Sequence, residues 1–223
     1  MPMRDEFIER AIRQLGAAIA RLMGKSSPVT QEEVALLRSE AATLYLPFLG
    51  ASAEFVDRLG VEDLLNVLRS AGYVDGERAY LLSALLETEA QAELFEGASP
   101  EDATVLRLRS RALDLMLESG LSGLGEEDIA ARVERLMRAV PAETLRSETW
   151  QRLFRYRFEI GDFAKAEDAL FSWLASGEAG GRESARDAGR SFYRSLAELT
   201  DEQLEAGGLP REELAEGLQA LGA

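Results

Sequence analysis

Cysteine and histidine are both missing from the 223-residue chain. Their absence excludes disulfides, thiolate and imidazole metal sites, zinc fingers, and Ser-His-Asp or Cys-His nucleophile systems. A ferritin-like di-iron centre is excluded as well, since its Glu-x-x-His motifs need histidine. Lysine occurs only at Lys25 and Lys165. No apolar run approaches the ~20 residues of a membrane-spanning helix. Residues 1–7 lack the apolar stretch of a secretory signal, so a cytoplasmic location is the expectation, in keeping with the missing cysteine. Sustained alternation with a period of two is missing too, and no sheet is expected.

What is present is acidic and apolar. Forty Asp and Glu face 25 Lys and Arg, giving a formal net charge of −15 and a pI near 4.6. A surface of that sign repels phosphate backbones and anionic bilayers, so neither nucleic acid nor membrane is an expected partner. With 46% hydrophobic residues the chain can bury a sizeable core.

The apolar residues recur at helical spacing almost throughout. Ile8, Ile12, Leu15, Ile19 and Leu22 form a seam on one helix face, which Gly24 ends. Ser26, Ser27 and Pro28 then read as a hinge. Thr30 and Glu33 spell a capping box for a helix stopped by Pro47. Further helices are expected near 52–59, 62–70, 77–96, 100–118, 126–139, 148–160, 163–176 and 183–199. Thr200 and Gln203 cap a short piece, and Pro210 starts the last helix. Many helices on short loops imply an all-α fold of antiparallel helix pairs. The expected division is an N-terminal helix over 1–25 and a helical domain over 30–223.

One stretch carries a motif. Trp150 and Leu153 are followed by Gly161-Asp162-Phe163, then by Ala166 and Leu170. This resembles a tetratricopeptide repeat: a large residue and a leucine on the first helix, a glycine turn, a small residue at the helix approach, and a large one a turn later. Phe154 stands where the pattern has a small residue, and Arg157 where it has an aromatic. The whole chain is also similar to a bacterial family of tetratricopeptide-like proteins of unknown function. Members of that family have a lone N-terminal helix with an acidic, aromatic and isoleucine opening, here Asp5 to Ile8, and a preserved repeat near the C-terminus, here 155–170. The resemblance implies pairs stacked as a right-handed solenoid and brings no activity.

Chemistry-bearing residues have structural readings beside the functional ones. Gly24-Lys25-Ser26 looks like the tail of a phosphate loop, but Ile19 stands where its first glycine belongs; a helix cap is expected. Gly120, Gly123 and Gly125 follow a helix and read as a turn, and Ser122 lacks the glycine of a nucleophile elbow. Acidic pairs at 32–33, 62–63, 126–128, 201–202 and 212–213 fall in first helical turns, where they oppose the helix dipole. Arg107, Arg109 and Arg111 do not share one face. Arg182, Arg186, Arg190 and Arg194 do. That stripe suits an acidic or phosphate-bearing partner, or else pairs with Glu178, Glu183, Asp187 and Glu198. Trp150, Phe154, Phe158, Phe163 and Trp173 read as repeat core. The seam from Ile8 to Leu22 either caps the stack or pairs with the same helix of a second chain, and the hinge after it favours the second use.

The leading expectation is a non-catalytic module that binds a protein or peptide, with no cofactor or metal. The alternatives are a structural homodimer or regulatory subunit assembled through the N-terminal helix, and an enzyme with an inter-helix carboxylate/arginine site.

Overall fold

The computed structural model of the chain describes residues 2–124, 126–177 and 179–222, with side chains from residue 6 onward except at 126, 127 and 179. About 78% of the described residues are helical and 2% strand, which makes the class all-α. The chain divides into two compact units, Met1–Ala142 and Glu143–Ala223.

The first unit contains α1 (Pro2–Met23), α2 (Gln31–Leu44), α3 (Ala53–Arg58), α4 (Val61–Val67), α5 (Gly76–Phe95), α6 (Ala103–Leu121) and α7 (Glu126–Ala139). Its centre is the α5–α6 pair. Leu81, Leu82 and Leu85 of α5 and Leu113, Leu115 and Met116 of α6 are fully buried, each worth about 1.5–3 kcal/mol of apolar burial. The Ser83 hydroxyl donates to the Ala112 carbonyl at 2.7 Å, tying the pair together without an orphaned buried group. Around this centre α1 packs on α2 and α5, α2 on α5, and α7 on α6.

The two units part at 142–143, and α1, expected as an N-terminal helix over 1–25, lies within the first of them. The cause is the α1 seam: Ile8, Ile12, Leu15 and Leu22 are buried within the first unit, and Ile19 is half-buried. Once covered by α2 and α5, the helix is part of that unit's core.

Two local expectations are corrected. Pro47 does not stop its helix; the chain widens into a π-turn over Tyr45–Leu49 and ends at Gly50, φ +69°. The wider turn accommodates a residue that lacks an N–H and crowds the preceding turn. From α5, Arg78 donates to the Phe48 and Leu49 carbonyls of this turn at 3.1 and 2.6 Å. The helix expected to reach Ser70 ends at Val67, and a two-residue hairpin follows. In it β1 (Arg69–Ser70) pairs antiparallel with β2 (Tyr73–Val74). Ala71 and Gly72 both take positive φ, the geometry a two-residue hairpin demands.

The second unit contains α8 (Ser147–Glu159), α9 (Phe163–Ser176), α10 (Ala179–Ala197), α11 (Asp201–Ala206) and α12 (Arg211–Ala220). Consecutive helices pack as neighbours, α8 on α9 and α9 on α10, with α12 on α10. The α8–α9 turn closes through two backbone bonds, Asp162 N–H to the Arg157 carbonyl and Gly161 N–H to the Phe158 carbonyl, with Gly161 left-handed at φ +76°. Ala166 is fully buried, as a close helix approach requires. Phe154 points into an aromatic cluster, its ring 6.2 Å from Trp173 and 5.5 Å from Phe192. Trp150 is only half-buried, whereas Phe192 of α10 sits edge-on to both Phe154 and Phe158. Arg157 is buried and reaches back to the turn acid, Nη1 to Asp162 Oδ2 at 3.2 Å.

Candidate functional site: a charge-sorted cleft in the first unit

A cleft of about 470 Å³ opens between α2, α3, α5 and α6. Its α5 wall exists because Glu89, Glu93 and Glu96 follow one another at spacings of four and three, on one helix face. Arg38 of α2 faces them and bonds to all three: Nε to Glu89 at 3.1 Å, Nη2 to Glu93 at 2.7 Å and Nη1 to Glu96 at 2.7 Å. One guanidinium thus serves three carboxylates. Burial pushes the Glu89 carboxyl above its ordinary range, with the Arg38 hydrogen bond pulling the other way.

On the opposite wall Glu54 and Asp57 of α3 stand with Arg107 of α6. Arg107 and, buried behind this lining, Arg111, four residues apart on α6, both reach Asp57, Nη1 to Oδ1 at 2.8 and 3.7 Å. Between the walls the lining is apolar, with Leu86, Leu108 and Val56. Tyr45 of the π-turn closes one side, and burial drives its hydroxyl pKa up. Burial and neighbouring Arg107 push the Arg111 guanidinium pKa down. Such a cleft can hold a segment with charges of both signs. Among the described residues no group of acids is arranged to hold a metal ion.

The residues singled out by sequence lie elsewhere. In the α10 stripe Arg186 bonds Glu183 at 3.4 Å and Arg190 bonds Asp187 at 3.1 Å, so half of the stripe is spent on its own helix. Arg182 and Arg194 are exposed and make no ion pair among the described residues. The expected partner Glu178 lies outside those residues. Lys25 forms an ion pair with Glu33, the acid of the capping box, at 2.7 Å. Ser122 caps the end of α6 and donates to the Ser119 carbonyl. The acidic pairs at 32–33, 62–63, 201–202 and 212–213 do stand in first helical turns; in the run 126–128, the side chains of the first two residues lie outside the described set.

The cleft residues were missed for a definite reason. Arg107, Arg109 and Arg111 cannot all share a face, but the outer two can, at a spacing of four. Arg109 points away, 3.5 Å from the Ala139 carbonyl. The readable signal was that pair, together with the glutamates at 89, 93 and 96; that α2 and α3 would face them was not written in any local pattern.

A family model described as "Family of unknown function (DUF6483)" matches residues 2–223. No curated protein and no solved structure matches the chain.

Proposed function

We propose that this chain, which belongs to the family of unknown function DUF6483, is a non-catalytic helical-repeat protein that grips a protein or peptide partner. The observation carrying this reading is the charge sorting of the cleft. Three carboxylates share Arg38 on one wall, and on the other Asp57 is shared by Arg107 and by Arg111 behind it. Complementary charge steers a partner and sets its register more than it adds affinity. The volume lies within the ~300–1,000 Å³ of ordinary ligand clefts. The α8–α9 pair, with its left-handed Gly161 turn and buried Ala166, supports a tetratricopeptide-like plan of antiparallel pairs stacked as a right-handed solenoid.

A displayed peptide library screened on the full chain tests this. Binders are expected, and Arg38→Glu should weaken them at least ~10-fold, or ~1.4 kcal/mol, while Arg182→Glu leaves them unchanged. Loss on Arg182→Glu alone would move the partner to the α10 stripe and sink the cleft reading.

Two alternatives each have one observation in their favour. An enzyme using the inter-helix site draws on Glu89, whose carboxyl is held above its ordinary range beside two further acids; against it, Arg38 engages all three. A homodimer through α1 draws on the short link at 24–30, but its seam is covered by α2 and α5 of the same chain. It would require the helix to be exchanged between chains, a low-cost route when a hinge is present. Light scattering on the full chain separates monomer from exchanged dimer.

A further inference from the structure

Arg111 is a guanidinium that its own chain leaves half-used. Its side chain is 7% exposed. Nη2 donates to the Val56 carbonyl at 2.5 Å. Nε and Nη1 are buried and make no hydrogen bond among the described residues. Native chains rarely leave buried donors in that condition. Asp57 is 3.7 Å from Nη1, too far for a hydrogen bond, because the same Oδ1 already accepts from Arg107 at 2.8 Å. One carboxylate is stretched between two cations. Asp57 itself is 61% exposed and rides on α3, only six residues long, so its side chain has room to swing outward once its bond to Arg107 is given up.

We propose that Arg107, in the lining of the cleft, and Arg111, buried behind Asp57, form an oxyanion subsite that Asp57 covers in this form, and that its ligand is a peptide carboxylate. An incoming carboxylate that displaces Asp57 presents two oxygens to guanidinium groups built for bidentate contact. It completes the bonding of Nη1, which Asp57 cannot do while held by Arg107. The rest of the cleft selects against a dianion. Glu54, Glu89, Glu93 and Glu96 line the same space, the last three with Arg38 as their counter-ion, and their field repels a doubly charged phosphate more than a carboxylate. A segment bearing a carboxylate near α6 and a cationic group towards α5 answers both walls.

The inference rests on the binding-module reading, but its test needs no peptide screen. The full chain is titrated with N-acetylglycine, N-acetylglycine amide and inorganic phosphate at constant ionic strength, followed by calorimetry and amide chemical shifts. Asp57→Asn uncovers the subsite and is expected to bind N-acetylglycine at least ~10-fold more tightly than the native chain, with no saturable binding of the amide. Adding Arg111→Met to Asp57→Asn should abolish that binding. If this double variant fails to fold by circular dichroism, Arg107→Met with Asp57→Asn replaces it and should weaken binding by about the same factor. Absence of saturable binding to Asp57→Asn would overturn the proposal, and is the result expected if Arg111 merely holds a buried water. Binding that survives removal of the arginine, or phosphate preferred to the carboxylate, would overturn it too. Peptides that bind with Arg38 dependence but ignore Arg111→Met would leave the module reading standing and remove the subsite alone.

Discussion

Gly161 takes φ +76° in the turn between α8 and α9 with open space around its α-carbon, so backbone conformation alone sets the cost of a side chain there. Gly161→Ala should lose ~1–2 kcal/mol in urea denaturation. Gly16 is the counter-case, an exposed glycine inside α1 with nothing near it and no positive φ; Gly16→Ala should gain ~0.5–1 kcal/mol. Glu167 gives a pH-dependent prediction. Burial pushes its carboxyl above the ordinary range, opposed by the Tyr193 hydroxyl donating to it at 2.5 Å, with Glu213 and Asp168 adding to the upward push. The folded chain therefore binds this proton more tightly than the unfolded one. The stability it contributes is full below ~4.3, the ordinary glutamate value, and is lost as pH rises through the folded value. Glu167→Gln keeps an acceptor for Tyr193 and removes the titration. Its stability relative to the native chain should climb across that window and then level off, as read by urea midpoints at successive pH values.

At the scale of elements, α1 is the decisive case. Its seam has the spacing of a coiled-coil strand, and spacing alone cannot say whether the facing surface belongs to the same chain. Leu15 is buried in the first unit, so Leu15→Ala should cost ~2–5 kcal/mol. The unfolding midpoint should be the same at protein concentrations of about 1 and about 100 µM, because a folding unit confined to one chain has no mass-action term. A midpoint that rises with concentration would instead favour exchange of α1 between chains. The capping box at the start of α2 is the other readable element: Thr30 and Glu33 bond reciprocally as their spacing dictates. Thr30→Ala should lose ~1 kcal/mol.

For the whole molecule, the net charge of −15 sets the response to salt. Most of the ion pairs are at least partly exposed and worth little singly, whereas self-repulsion among 40 acids acts over the full surface. Raising ionic strength from ~0.01 to ~0.15 M shortens the screening length from ~30 to ~8 Å. The melting temperature should therefore rise with salt, as calorimetry can check; a fall would mean that the ion pairs outweigh the repulsion. Among the described residues no helix is long and apolar enough to cross a membrane.

Helix existence, the capping boxes at Thr30 and Thr200, the Gly161 turn and the placement of acids in first turns were determined by the sequence itself, because each depends on residues within about one helical turn of one another. Tertiary structure decided the rest. Pro47 sits in a π-turn whose carbonyls are met by Arg78, 30 residues along the chain. The seam of α1 is buried because α2 and α5 pack over it. The cleft needs Arg38, Asp57, the glutamates of α5 and Arg107 of α6, with Arg111 behind it, to arrive from four helices. Charge pairing across such separations follows from how the apolar faces stack, and local spacing carries no record of that stacking.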